Sequence, residues 1–222
     1  MYFLKLSQGT LYEALFSFYN SYGKPTATPL GFVISSRESI NLKIYKGSRT
    51  CEEFLRNRPD VVINLTNNPK LFLIFAFKDI FSTDIDNIRF TDSMRVRAPK
   101  IAPENGIYGY IECRTEQIQE HDEHINVTLT IENIDIATPY ITLEPFSRVY
   151  NHMIDIVVYL TKIEKLSDRD AVNRYMELLK YSLHIVRDYC SSELCREYLD
   201  MVRRILSRLR DHGKDITELE SR

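Results

Sequence analysis

The chain has 222 residues, 44% of them hydrophobic and 27% charged, with a formal net charge of −2. That is enough apolar material to bury a core, and it excludes a disordered chain. The near-neutral balance excludes a nucleic-acid binder that works by general phosphate neutralisation, but leaves room for a local anion pocket.

In chain order, the aromatic run from Leu11 to Asn20 reads as a strand. It is followed by the turn signal Ser21-Tyr22-Gly23-Lys24 and a second extended segment, Pro25 to Ile34, so the pair predicts a hairpin. Thr26-Ala27-Thr28-Pro29-Leu30-Gly31 is unusual within a strand, because Pro29 lacks a ladder donor and Gly31 lacks a side chain. Such a stretch suits a protected edge, a bulge or bare backbone against which a flat ligand lies. In Ser39 to Tyr45 the apolar Ile40, Leu42 and Ile44 alternate with polar residues, as a half-buried antiparallel strand requires.

This third strand leads into Lys46-Gly47-Ser48-Arg49-Thr50. Lys46 and Arg49 supply cations, Ser48 and Thr50 hydroxyls, and Gly47 a sharp turn that aims backbone N–H groups at one point. Thr50 stands three residues before Glu53, the spacing of a capping box, which predicts a helix over Cys51 to Arg58 opening towards the same point. A phosphate monoester fits this donor set; a solvated turn is the plainer reading of the same residues. Pro59 stops the helix, and Asp60 to Thr66 reads as a fourth strand with Asn64 and Thr66 on the face of Val62. Asn64 then satisfies neighbouring backbone or meets a ligand.

Lys70 to Phe81 is apolar and partly helical, and Ser82 to Asn105 reads as a long wrapping segment. Strands return at Ile107–Gln119 and His124–Asp135, joined by the polar turn 120–123. His121 and His124 there read as a solvated hairpin tip, with no third or fourth metal ligand at suitable spacing. From Pro145 the period becomes helical, with apolar stripes running from Val149 to Ile163, Val172 to Cys190 and Tyr198 to Leu209. Ser167 and Ser191-Ser192 are starts and Gly213 is a stop. The arginines at 203, 204, 208 and 210 are interleaved with acids, so they read as a solvated face and not as a nucleic-acid patch.

The four cysteines, Cys51, Cys113, Cys190 and Cys195, form no Cys-x-x-Cys pair and read as reduced thiols of a cytoplasmic protein. No apolar run approaches the roughly 20 residues of a membrane span, and Met1 to Thr10 is too short and mixed for a signal peptide. The common nucleotide-binding and hydrolase motifs do not occur, so an enzymatic role requires a cofactor to carry the chemistry.

Several segments together resemble an archaeal and bacterial family of unknown function with the flavin-reductase-like, FMN-binding split barrel. They are Gly23 to Gly31, Tyr45 to Thr50 with Phe54-Leu55, Val61 to Thr66 with Asn68-Pro69 and Leu71-Phe72, Ile111 to Arg114, and Pro145 to Arg148. Cys51 and Ser147 depart from the pattern, where an aromatic residue and an Asn are expected.

The resemblance implies an α+β fold, a six-stranded antiparallel Greek-key split barrel over residues 1–144 and a three-helix annex over 145–222. It also implies FMN in a groove between the subunits of a homodimer, with Lys46, Gly47, Ser48, Arg49 and Thr50 around the phosphate. The backbone of Thr28, Pro29, Leu30 and Gly31 lies along the ring, and Asn64 touches ring or ribitol. Such a protein exchanges hydride with a small-molecule donor or acceptor. A flavin carrier, an interaction module and a deazaflavin reductase are the alternatives.

Overall fold

The structure is a computed structural model that describes residues 6, 8–137, 148–190 and 192–212. The chain divides into two units, Met1–Asn68 with Asp86–Ile141 and Pro69–Ile85 with Thr142–Arg222.

In the first unit the period-two segments become strands β1 (Leu11–Tyr19), β2 (Pro25–Ile34), β3 (Ser39–Tyr45), β4 (Val61–Thr66), β7 (Ile107–Glu120) and β8 (His124–Ile136). They close an antiparallel barrel in the order β1-β2-β3-β8-β7-β4. Alternation decides what faces inward: Ala14, Phe16 and Phe18 of β1 meet Phe32, Ile40, Ile44, Ile63, Ile111 and Leu129 from around the barrel in one core. Each such side chain contributes about 1.5–3 kcal/mol on burial, so the barrel is held chiefly by this filling.

The wrapping segment has more structure than its sequence suggests. Strands β5 (Phe90–Asp92) and β6 (Pro99–Ile101) pair as a short hairpin. β6 lies against β1 and β4 from outside, which leaves Leu15 and Ser17, on the outer face of β1, fully buried. Ser17 Oγ donates to the Pro99 carbonyl at 2.6 Å.

In the second unit α2 (Pro69–Ala76) packs with the long helices α4 (Arg148–Lys165) and α6 (Glu193–Asp211), and α5 (Arg169–Tyr189) packs on α4 and α6. The expected boundary at 144/145 lies outside the described residues, as do Pro145 and Gly213. Residues 69–85, expected to belong with the barrel, fall in the helical unit. The reason is composition: five consecutive residues of α2, Leu71 to Phe75, are buried, and a helix apolar on every side must be covered, which α4 and α6 do here.

The long-helix stripes hold, with Met153, Ile156, Leu160 and Ile163 of α4, Leu179, Leu183 and Val186 of α5, and Tyr198, Val202, Ile205 and Leu209 of α6 all buried. The cap of α5 is Asp168, whose side chain accepts from the Asp170 N–H, in place of the expected Ser167. Arg203 pairs with Asp200 and Arg208 with Asp79, while Arg204 lies over Phe81, so three of the C-terminal arginines are engaged within the unit.

Cys190 and Cys195 form a disulfide, with Cα atoms 6.1 Å apart. This corrects the reading of four reduced thiols and removes the cysteine argument for a cytoplasmic location. The turn between α5 and α6 decides it, because it folds a five-residue separation into bonding distance. Cys51 and Cys113 are buried free thiols.

Candidate functional site

The turn after β3 is built by local rules. The Lys46 N–H donates to the Glu123 carbonyl at 2.9 Å, keeping the end of β3 on the β7–β8 hairpin. Gly47 then reverses the chain at φ 78°, a left-handed conformation that a side chain would strain. Helix α1 (Arg49–Asn57) follows, with Ser48 as its cap. Ser48 Oγ accepts from the Cys51 N–H at 3.2 Å and donates to the Tyr45 carbonyl at 2.8 Å.

The expected capping box of Thr50 and Glu53 is therefore not what opens the helix. Glu53 instead accepts from the N–H of Ser21 at 2.9 Å and its hydroxyl at 2.8 Å, tying α1 to the β1–β2 turn. The Ser48 hydroxyl, expected to face a phosphate, has its one hydrogen on Tyr45. Moving the cap two residues forward makes Arg49 and Thr50 the first two helical residues, whose N–H groups have no carbonyl one turn back to bond. Exposed Arg49 thus stands at the positive end of the helix dipole. Lys46 is also exposed and reaches Glu120 at 3.5 Å.

Strand β2 supplies the other side of the site. It pairs with β1 over nine residues, from Leu11↔Val33 to Tyr19↔Pro25. With β3 it pairs over three only, Phe32↔Leu42 to Ile34↔Ile40. Beyond Phe32 the two strands part, so among the described residues the ladder of Pro25 to Gly31 is with β1. Continuing the lost register would set Leu30 opposite Ile44 and Thr28 opposite Lys46. The opening therefore has Thr28, Pro29, Leu30 and Gly31 on one bank and the turn of Lys46 to Thr50 on the other. Pro29 sits where no ladder donor is needed on the β3 side.

On the outer face beside this opening is a cavity of about 300 Å³, lined by Gly31, Asn41, Lys43, Gln119, Asn126 and Thr128 among others. A Cβ on Gly31 would lie 3.1 Å from Glu13 Oε1 and 3.1 Å from Leu11 Cδ1, so the missing side chain makes room for that carboxylate. Desolvation of the carboxyl against Leu11 and the Gly31 backbone pushes Glu13 up to about 7, an effect that solvent screens because the residue as a whole is exposed. Near the turn, the His121 and His124 rings stack at 4.6 Å, and desolvation, with the nearby Lys43 and His121, lowers the His124 pKa.

Asn64 does not join the site. It is fully buried. Its Nδ2 lies 2.9 Å from the Leu15 carbonyl, 2.8 Å from Ser17 Oγ and 3.0 Å from the Val62 carbonyl, while its Oδ1 accepts from the Ile101 N–H at 2.8 Å. Every polar atom of the side chain is matched inside the chain, so Asn64 stitches β4 to β1 and to the β5–β6 hairpin. This corrects its expected role as a ring or ribitol contact; the backbone-satisfying reading of the same residue holds.

Residues 12–152 match the model of a family described as "Protein of unknown function (DUF447) N-terminal domain". The chain belongs to this family. The FMN-bound DUF447 protein MM1853 from Methanosarcina mazei is similar in structure to this DUF447 chain over 90% of this chain and 96% of that one, at 17% identity and a TM-score of 0.70. The flavin reductase HpaC, solved with NADP+, is similar over 60% of this chain and 83% of that one, at 16% identity and a TM-score of 0.50. These likenesses establish the split-barrel fold. No curated protein matches the sequence.

Two features of this DUF447 chain had no sequence signal of their own. Glu13 reads as one polar position in an aromatic strand, and only its pairing with Gly31 places it at the opening. Glu112, in the interior of β7, is fully buried and accepts the N–H groups of Met94 at 3.0 Å and Arg95 at 2.6 Å. No helix among the described residues is long and apolar enough to cross a membrane. No group of three or more metal-ligating side chains gathers among them.

Proposed function

We propose that this protein binds FMN along the opened β2–β3 seam and works as a flavin-dependent oxidoreductase. The observation that carries the reading is the opening itself, where a bare strand edge faces a turn bearing two exposed cations at a helix N-terminus. The family and the FMN-bound relative support it. FMN, when bound, supplies hydride transfer at its N5 position.

The residues present fit that group. Lys46, Arg49 and the Thr50 hydroxyl, with the first N–H groups of α1, hold the dianionic phosphate. The backbone of Thr28 to Gly31 offers hydrogen-bonding groups to a planar ring edge, while the place of a Gly31 side chain is taken by Glu13 and Leu11. Glu13, beside Gly31 and with its carboxyl raised by desolvation, stands where a proton partner for a small-molecule donor or acceptor would be needed. Lys46 must leave Glu120 to reach the phosphate, an exchange that costs little because the pair is exposed.

The seam has one open wall, and a second copy of the chain closes it. Leu11 and Tyr45, 64% and 47% exposed, flank the seam and give that contact apolar surface.

Titration of the purified chain with FMN, followed by quenching of flavin fluorescence, tests the reading. Saturable uptake, with bleaching of the flavin band by a nicotinamide donor, is the expected result. A chain that takes up no FMN overturns the reading, and one that binds FMN yet stays inert to every donor is a carrier. Mass spectrometry of the ligand released from protein purified from its source separates FMN from a deazaflavin. A dilution series checks that affinity falls as the dimer dissociates.

A further inference from the structure

A second cavity, of about 440 Å³, lies in the barrel unit and shares no lining residue with the phosphate turn; Tyr19, Gly23, Asp92, Ser93, Val96 and Arg97 are among its walls. Its size is that of a small-molecule site. The charges on its walls are unusual in what they leave undone. Asp92 and Arg97 have opposite charge and stand five residues apart at one cavity, yet they form no ion pair with each other. Asp92 instead takes the Tyr19 hydroxyl at 3.1 Å. The Arg97 guanidinium has no carboxylate partner among the described residues. Both charges act on the Tyr19 phenol, Asp92 raising its pKa and Arg97 opposing the rise, after the larger effect of desolvation.

The loop that carries them is held still. The buried Glu112 carboxylate accepts the backbone N–H groups of Met94 and Arg95, and Asp60 accepts that of Arg97 at 2.9 Å. Ser93 N–H donates to the Ala98 carbonyl at 3.3 Å, closing the loop on itself. Burying a carboxylate is costly unless charge-assisted bonds offset it. Here those bonds go to the backbone of a surface loop and fix its course, from which the exposed side chains of Asp92 and Arg97 reach the cavity. Two opposite charges at one cavity, carried on a braced loop and not spent on each other, are complementary to a ligand that bears both partners.

We infer that this cavity binds a small carboxylic acid carrying a hydroxyl or amino group beside the carboxylate. The carboxylate lies on Arg97, and the neighbouring donor meets Asp92 and Tyr19. The site is independent of the flavin reading and stands whether or not FMN binds.

Calorimetric titration of the full chain with lactate, malate, alanine and aspartate tests it, with lactamide as the uncharged control. At least one acid binds saturably and lactamide does not. Arg97→Gln weakens that acid by about tenfold or more, the loss of one charge-assisted bond. Tyr19→Phe weakens it several-fold, and FMN affinity is unchanged in both variants. The inference is overturned by the absence of saturable heat from all four acids, or by binding that survives Arg97→Gln. It is equally overturned if Arg97→Gln weakens FMN as much as Arg49→Ala does, since the cavity would then belong to the flavin site.

Discussion

Asn64 and the turn after β3 carry similar chemistry in the sequence and reach opposite ends in the structure. At Asn64 every polar atom has a partner within the chain, and the side chain is sealed beneath the β5–β6 hairpin. At the turn, Arg49 is exposed and Lys46 is held only by a surface pair with Glu120, beside a strand edge that β3 leaves after three pairs. Polar residues on a strand are evidence of a site only when the fold leaves them unmatched. The difference arises from the neighbours: β4 is flanked by β1 and β7 and covered from outside, whereas β2 loses β3 after three pairs.

The sharpest way to break this comparison is Asn64→Ala. It leaves the Ile101 N–H without its partner and removes a donor from the Leu15 and Val62 carbonyls and from Ser17 Oγ, and is expected to destabilise the barrel by about 3 kcal/mol. Thermal unfolding should fall by roughly 6–12 °C. A variant that melts normally but loses FMN would return Asn64 to the ligand and undo the contrast.

Arg49→Ala is the mirror experiment. Removing one charge-assisted bond of about 1.5–3 kcal/mol should raise the FMN dissociation constant about ten- to a hundredfold. Its melting temperature should not move, because the side chain is exposed. An unchanged dissociation constant would place the phosphate elsewhere.

Ser48→Ala separates capping from ligand binding within the turn itself. The lost cap costs about 1 kcal/mol of stability. FMN binding should suffer less than in Arg49→Ala. If binding collapses while the melting temperature holds, the hydroxyl serves the phosphate and not the helix.

Glu13→Gln gives the smallest effect, and its sign depends on pH. The folded carboxyl sits at about 7 against an ordinary 4.5. The folded state therefore binds this proton more tightly, and the associated stability is full below pH 4.5 and lost as pH rises through 7. Glu13→Gln should raise the melting temperature at pH 8 and leave it unchanged at pH 4. Its solvent contact keeps the gain small. Equal curves at both pH values would mean that the carboxyl titrates normally.

Much of the barrel was legible in the residues. Ile40, Leu42 and Ile44 alternate in the sequence and fill the core in the structure. Ser192, the start of the last helix, caps α6 as expected. The turn of Lys46 to Thr50 was recognisable because glycine, cations and hydroxyls within a few residues are a local signal. The cap was misplaced by two residues because Thr50 and Glu53 fit the spacing of a capping box, and only the β1–β2 turn, by offering Ser21, draws Glu53 away. The β5–β6 hairpin escaped notice because three-residue strands carry no measurable period. The disulfide escaped because a five-residue separation says nothing about how a turn is folded.

What the sequence by itself determined is everything that depends on near neighbours: the alternation that makes strands, the stripes that make helices, and the charged turn at the end of β3. Only the tertiary structure decided where β2 and β3 part, which polar groups are already matched, and that Glu13 shares its place with the bare face of Gly31. Those outcomes depend on which distant segments come to lie side by side. A residue's spacing along the chain does not encode whether a partner for its hydrogen bond or charge arrives from β1, from β8 or from outside the molecule.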